Sequence, residues 1–405
     1  MKVIMMRPSF VPELSGGTHL ALDLVNDFIK AGWEVELIVS LGKKFEPLVD
    51  ESKDITKIHR IKSKFTGTGI IKRILRYIDT SLKMYKTAIS IKDADLIMTH
   101  SMPPLLGPLG AIAGKRLKLP VLYWEQDIVS NSLLSTGIFG KTGIKKKILY
   151  FVSKEIEKFS QNKSTHIITI CEEFKKMHLE RGAKAEKLSV VYNWIDTEQI
   201  KPVKKDENPL FDKLGIDKDK FTVTYCGNLG VPQNVEILID AAKQLEDKLP
   251  IQFVIIGGGS REKKVLKYIE ETNASNLKRF PLLPLEDAGY VYNIGEVGLV
   301  IGKKGTSKNG FPSKTWSIMA AAQTMIACFD MDSELSQFVR QGGCGVTIEP
   351  DSAEQLVAAI TELYNNRELC AKYGENARKF VVENFERSKA TKQIINCAEN
   401  LVNSK

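Results

Sequence analysis

Runs of four to seven mostly apolar residues alternate along this chain with stretches in which apolar positions recur every three or four residues. The short runs at 2–6, 34–40, 95–99, 121–125, 166–171 and 188–192 predict buried strands, and 19–31, 104–116, 145–158 and 172–181 predict helices between them. The alternation starts again with strands at 222–226, 252–257, 297–301 and 325–329. Helices are expected there at 235–245, 262–272 and 315–322, and from Glu334, Ala353 and Arg367. Such a pattern requires parallel sheets covered by helices on both faces. Two successive runs predict an α/β protein of two doubly wound, Rossmann-like domains, 1–196 and 197–385, facing an interdomain cleft. The polar stretch 193–220, with Pro202 and Pro209, marks the boundary. Residues 386–405 are expected to form a helix that packs back toward the first domain.

Ligands of this architecture bind at the carboxyl ends of the strands. The loops expected there are glycine-rich: Ser15-Gly16-Gly17, Gly227-Asn228-Leu229-Gly230 and Gly257-Gly258-Gly259. Glycine lets backbone approach a ligand closely. None of the three fits the G-x-G-x-x-G pattern of nicotinamide enzymes. A fourth segment, Phe311-Pro312-Ser313-Lys314, precedes a small-residue helix. Ser313 is the expected N-cap, with free amides beside Lys314 that attract phosphate.

Charge narrows the choice of partner. Residues 1–200 hold 31 Lys and Arg against 22 Asp and Glu, while the remainder is balanced, so the net +9 lies in the first half. Eleven of these basic residues fall between Lys53 and Lys92, against two acidic ones. Nucleic acid, an anionic membrane, an anionic substrate or a solvated face would each account for that. No nucleic-acid recognition module or aromatic stacking motif accompanies the charge, which disfavours nucleic acid. Ile71, Ile74, Leu75, Ile78, Leu82, Tyr85 and Ile89 form a helical stripe with Lys72, Arg73, Arg76, Lys83 and Lys86 off it. That stripe suits either packing on the sheet or peripheral binding to anionic lipid, to which Lys141–Lys147 would add. The six cysteines form no Cys-x-x-Cys pair and are expected to be reduced thiols of a cytoplasmic protein. Asp-x-Asp occurs at three unrelated places and the five histidines are scattered, so no metal and no cofactor are expected.

In this order, "AGWEVELIV" after Gly16-Gly17, "HIITICEEFKKMHLERGAKAEKLSVVYNWID", "FTVTYCGNLG", "FVIIGGGSREKK" and "GCGVTIEPDSAEQL" resemble the retaining glycosyltransferases of family 4, which have the GT-B fold. The resemblance covers nearly the whole chain. "EQD" at 125–127 and "PSK" at 312–314 resemble most the subgroup that assembles bacterial surface polysaccharides such as capsule and O-antigen, often from N-acetylated sugars. It implies transfer of a sugar, with a hexosamine in view, from a UDP-sugar to a lipid-linked or polysaccharide acceptor at the inner face of the plasma membrane. His100 aligns with a histidine held against the donor sugar, and Asp127, less so Glu125, would receive the acceptor proton. The donor side would comprise Gly16, Gly17, Gly227, Asn228, Leu229, Gly257 and Gly258. Further on it would take Phe311, Pro312, Ser313, Lys314 and Thr315, with Lys303 as a second cation, Arg279 near the nucleobase and Ser317 on the ribose. Lys72, Arg73, Arg76 and Lys83 would meet the acceptor or membrane. The chain departs from the family where two donor glutamates are usual, having Asn309 and Ser317, and where an Arg and a Lys are usual, having Asn228 and Gln233. A binding or regulatory subunit on a degenerate fold and a sugar-nucleotide epimerase are the competing readings.

Overall fold

The computed structural model describes every residue except 12, 14–16, 42–56, 68, 132–143 and 405. The chain divides into two compact units, Met1–Asn193 with Ser388–Lys405, and Trp194–Arg387.

The first unit runs β1 (Lys2–Arg7), α1 (Thr18–Lys30), β2 (Glu34–Ser40), β3 (Lys57–Ile61), α2 (Ile70–Ala88), β4 (Leu96–His100), α3 (Leu106–Leu117), β5 (Val121–Glu125), α4 (Ile144–Lys163), β6 (His166–Thr169), α5 (Glu172–Glu180) and β7 (Leu188–Val190). Its seven strands order as β3-β2-β1-β4-β5-β6-β7, every pair parallel. The order reverses between β1 and β4, where Val3 faces Leu96 and Met6 faces Thr99. Parallel strands need crossover helices, which bury both faces. Accordingly Ile4, Met6, Ile38 and Ile97 pack under Met84 and Ala88 of α2 and Leu106 and Ala113 of α3.

The second unit runs α6 (Leu210–Leu214), β8 (Phe221–Cys226), α7 (Glu236–Leu245), β9 (Ile251–Ile256), α8 (Glu262–Thr272), β10 (Leu277–Phe280), α9 (Ala288–Val291), β11 (Val297–Ile301), α10 (Lys314–Ala320), β12 (Thr324–Cys328), α11 (Glu334–Gln341), β13 (Gly345–Ile348), α12 (Ala353–Asn365) and α13 (Arg367–Asn384). α14 (Arg387–Asn403) follows, and all but its first residue belongs to the first unit. The six strands order as β10-β9-β8-β11-β12-β13. This is the doubly wound plan, with its switch point between β8 and β11. Alternate residues of β8 and β9 serve two cores. Val223, Tyr225, Phe253 and Ile255 pack with Leu238 and Ala241 of α7 and Leu356 of α12, whereas Cys226, Val254 and Ile256 pack with Leu210, Phe211 and Ile294.

Three strands were not expected from the hydrophobic pattern: β3, β10 and β13. Each lies at the edge of its sheet and is mostly half-buried. An edge strand lacks the continuous apolar run that burial on both faces demands. Helix α11 shows the local rules at work. Ser333 stands in extended conformation and its Oγ accepts the Ser336 N–H at 3.2 Å. Ser333→Ala should therefore lower stability by about 1 kcal/mol, read from the urea midpoint at unchanged slope.

Candidate functional site

At the switch point of the second unit, the loops after β8 and β9 are knit together by their backbones. Gly227 N donates to Ile256 O at 2.9 Å, Leu229 N to Gly258 O at 2.9 Å, Gly257 N to Phe280 O at 3.1 Å and Arg261 N to Leu229 O at 2.9 Å. The packing is so close that a Cβ on Gly257 would sit 1.9 Å from Gly227 O, so glycine is required there. The loop geometry corrects part of the expected donor site. The amides of Gly227, Leu229 and Gly257 already have partners, and the Leu229 side chain is buried in the core. Asn228 is exposed, its carbonyl holding the Tyr225 hydroxyl at 2.8 Å. Gly258 remains in the turn, beside Glu262. Arg279 donates to Gly257 O at 3.1 Å and pairs with Glu262, so its guanidinium braces the turn.

The turn at 311–314 also differs from the expectation. Ser313 stands before α10 in helical conformation and its side chain caps nothing. Thr315 N donates to Pro312 O at 3.1 Å and Trp316 N to Ser313 O at 3.3 Å, so tight i→i+3 turns take two of the amides expected to hold an anion. Thr315 is wholly buried, its hydroxyl unpartnered, and Ser317 is buried and bonded to Tyr292. Phe311 stacks on Trp316 at 5.0 Å, and Trp316 on Phe385 at 3.8 Å, an aromatic stack that anchors the turn. Arg378 closes the far end of α10 through Ala320 O at 2.9 Å.

These contacts leave Lys314 at the centre. Its Nζ is buried, has no hydrogen-bond partner, lies 3.7 Å over the Tyr225 ring and would be 3.0 Å from a Cβ on Gly227. Burial lowers its pKa to about 7, with nearby Cys226 pulling weakly the other way. A buried ammonium without acceptors is costly. Here it abuts the loop on which the doubly wound plan places ligands. Lys303 is half-buried, its amide on Pro232 O, whereas Lys304 and Lys308 are exposed.

In the first unit, His100 ends β4 with 7 % exposure. Its Nδ1 accepts the Met102 N–H at 3.0 Å, and burial, with Arg7 adding to it, lowers its pKa well below the usual range. The ring is thus neutral near pH 7, and the Nδ1 bond assigns its proton to Nε2. Asp127 reaches water although protein surrounds it. That environment and the Glu125 carboxylate raise its carboxyl to about 6. Glu125 is not available as a base: it is fully buried and its carboxylate pairs with the buried His178, whose other nitrogen meets Gln161 at 2.9 Å. Gly17 precedes α1 in open space; Gly16 lies outside the described residues.

Sequence reasoning missed Arg7. It ends β1, is 5 % exposed, and its guanidinium lies 4.7 Å over Trp124, with Nε unpartnered. Burial lowers its pKa to about 9, so it keeps its charge at neutral pH. A lone arginine closing an apolar strand was the available signal. The Asp-x-Asp pairs do local backbone work: Asp95 takes the Lys2 N–H, Asp217 that of Asp219, and Asp330 those of Gly305 and Ser307. Among the described residues no cluster of metal-ligating side chains occurs.

The amphipathic stripe is exposed along most of its length. Ile71 is 70 % exposed, and Ile74, Leu75, Ile78 and Leu82 also face water, whereas Tyr85 and Ile89 join the core. Lys72 and Arg73 are exposed, Arg76 reaches Gly67 O, and Lys83 is tied to Asp79 at 3.0 Å, so the free cations are fewer than expected. Helix α3, which packs against both α2 and α4, exposes Ile112, and α4 exposes Ile148, Phe151, Val152 and Phe159. Residues 141–143 of the Lys141–Lys147 run lie outside the described residues; Lys147, in α4, is exposed. No described helix is long and apolar enough to cross a membrane.

Two family models match successive parts of the chain, Glycosyltransferase Family 4 over residues 14–199 and Glycosyl transferases group 1 over 206–380. The chain belongs to glycosyltransferase family 4. Both units have the parallel α/β plan of the GT-B fold, and the protein is a glycosyltransferase. A putative colanic acid biosynthesis glycosyl transferase, WcaI of Escherichia coli K12, is 27 % identical, covering 98 % of this chain and 99 % of its own. The Escherichia coli UDP-Gal:alpha-D-GlcNAc-diphosphoundecaprenol alpha-1,3-galactosyltransferase is 25 % identical over 70 % of this chain and 68 % of its own. Among solved structures, Alr3699/HepE of Anabaena in complex with UDP and glucose superposes with a TM-score of 0.76 at 16 % identity, covering 99 % of this chain and all of that one.

Proposed function

We propose that this glycosyltransferase moves a sugar, with retention, from a UDP-sugar to an acceptor carried on a lipid diphosphate or a growing surface polysaccharide. The observation that carries the reading is the orphaned ammonium of Lys314 against the Gly227 loop. A sugar nucleotide leaves as a diphosphate on which negative charge grows as the anomeric bond breaks, and a pre-placed cation in a dry site stabilises that charge. The UDP held by HepE and the diphosphoundecaprenol acceptor of the galactosyltransferase support the two ends of the reaction. The relation to WcaI supports surface-polysaccharide synthesis.

The neutral His100, with its proton on Nε2, is suited to donate a hydrogen bond to a sugar hydroxyl and not to act as a base. Asp127, reaching water with a pKa of about 6, is poised near neutrality to take the acceptor's proton. The exposed apolar faces of α2, α3 and α4 would seat the first unit on anionic lipid, where a lipid-linked acceptor resides.

A thermal-shift screen of nucleotide sugars, followed by transfer assays with a polyprenyl-diphosphate sugar, tests the function. Stabilisation by UDP-sugars with transfer supports it. Binding without transfer or donor hydrolysis favours a regulatory subunit, and donor interconversion without acceptor an epimerase. His100→Ala should lower kcat about tenfold with little change in UDP affinity, as expected for one lost hydrogen bond to the reacting sugar. An unchanged kcat removes His100 from the chemistry.

A further inference from the structure

The first unit has its own buried cation. Arg7 ends the central strand β1 at the switch point with β4, the position in the sheet where doubly wound units take ligands. It is 95 % enclosed, its Nε has no acceptor, and among the described residues no carboxylate pairs with it. Around it stand the face of Trp124, His100 at the end of the neighbouring strand and His19 in the first turn of the thirteen-residue α1. Both imidazoles feel its charge: His19 is lowered to about 4, by burial and then by Arg7. The helix brings its amino end and no acidic side chain in its first turn. A cation stacked on one aromatic face retains in-plane donors that only an acceptor can satisfy. The cluster offers positive potential and donors and, among the described residues, no anion.

We propose that the first unit carries an oxyanion subsite built on Arg7 that takes a phosphate of the acceptor, separate from the diphosphate site at Lys314. This rests on the donor reading given above, because Lys314 leaves the acceptor's charge still to be met. A planar guanidinium matches phosphate or carboxylate through two parallel N–H bonds. An acceptor borne on a lipid diphosphate brings phosphate; one ending in an acidic sugar would bring carboxylate.

Calorimetry on the full-length protein separates the possibilities. Inorganic pyrophosphate titrated into protein saturated with UDP should bind at a second site. Arg7→Gln should weaken that binding at least tenfold, Arg7→Lys should keep part of it, and both should leave UDP affinity within twofold. Methyl glucuronide in place of pyrophosphate reports the carboxylate source, and binding it better than pyrophosphate overturns the phosphate assignment. A loss of UDP affinity in Arg7→Gln equal to that in Lys314→Met would assign Arg7 to the donor and overturn the proposal. So would the absence of pyrophosphate binding to UDP-loaded protein, or retention of it in an Arg7→Gln protein of unchanged circular dichroism. Failure of UDP itself to bind would instead remove the donor reading.

Discussion

Lys314→Met should weaken UDP-glucose binding roughly ten- to hundredfold, the worth of a charge-assisted bond to phosphate, while making the unliganded protein more stable. The two signs oppose because a buried ammonium that would serve an anionic ligand is a liability without one. Its pKa falls from 10.5 to about 7 on folding. A depressed lysine pKa means that the folded state disfavours the charged form. The penalty therefore grows as pH falls from about 10.5 and is complete below about 7, where it amounts to roughly 5 kcal/mol. Methionine, similar in length and apolar, removes it. The stability gained should be fully present below about pH 7 and vanish toward pH 10.5, measured by urea unfolding. Binding shows the complementary dependence. Below pH 7 Lys314 is already charged; above it the ligand must bring a proton to the site, so affinity should fall by up to tenfold per pH unit. UDP-glucose is the proper probe, because its diphosphate does not titrate in this range. Lys308→Ala, on an exposed lysine, should leave affinity nearly unchanged. Equal losses in the two variants, or a destabilised Lys314→Met protein, would remove Lys314 from the donor site.

The case of Lys314 also shows what the amino-acid sequence discloses. The interior strands are legible because parallel strands buried on both faces write themselves as apolar runs, as "KVIMM" and "FVII" do. The edge strand "KIHRI" does not, because one side of it meets water. The candidate site at Lys314 lies among the glycines and the Phe311–Lys314 turn that the amino-acid sequence picks out. Its hydrogen bonding was not legible there: which amides remain free depends on backbone bonds between Gly227, Gly257 and Phe280, residues far apart in the chain. Burial decides the remaining roles. Glu125 and Asp127 look alike in "EQD", yet one is sealed against His178 and the other reaches water. Arg7 was overlooked because an arginine after an apolar strand normally signals the return to solvent, and here the strand's end is enclosed.

The exposed faces of α2 and α4 give the second large effect. Ile74→Asp with Phe151→Asp should lower the partition of the protein onto phosphatidylglycerol vesicles by at least about a hundredfold. Each change removes a side chain whose burial is worth about 1.5–3 kcal/mol and adds a charge that anionic lipid repels. Ile74 is 45 % and Phe151 62 % exposed, so neither change disturbs the core, and the melting temperature should hold. Lys72, Arg73 and Lys147 supply the electrostatic part of the attraction, so salt should reverse binding of the wild type, and neutral vesicles should bind it weakly. Leu282 offers an internal control: it is equally apolar and 64 % exposed, but belongs to the second unit, so Leu282→Asp should leave partition unchanged. Among the described residues, ten large exposed hydrophobic side chains on three successive helices of one unit exceed what solitary surface residues explain, and a protein partner is the other way to cover them. Size-exclusion chromatography separates the two. If the double variant turns an oligomer into a monomer, the face is an interface between chains; if both elute alike and only vesicle binding is lost, the face meets the bilayer.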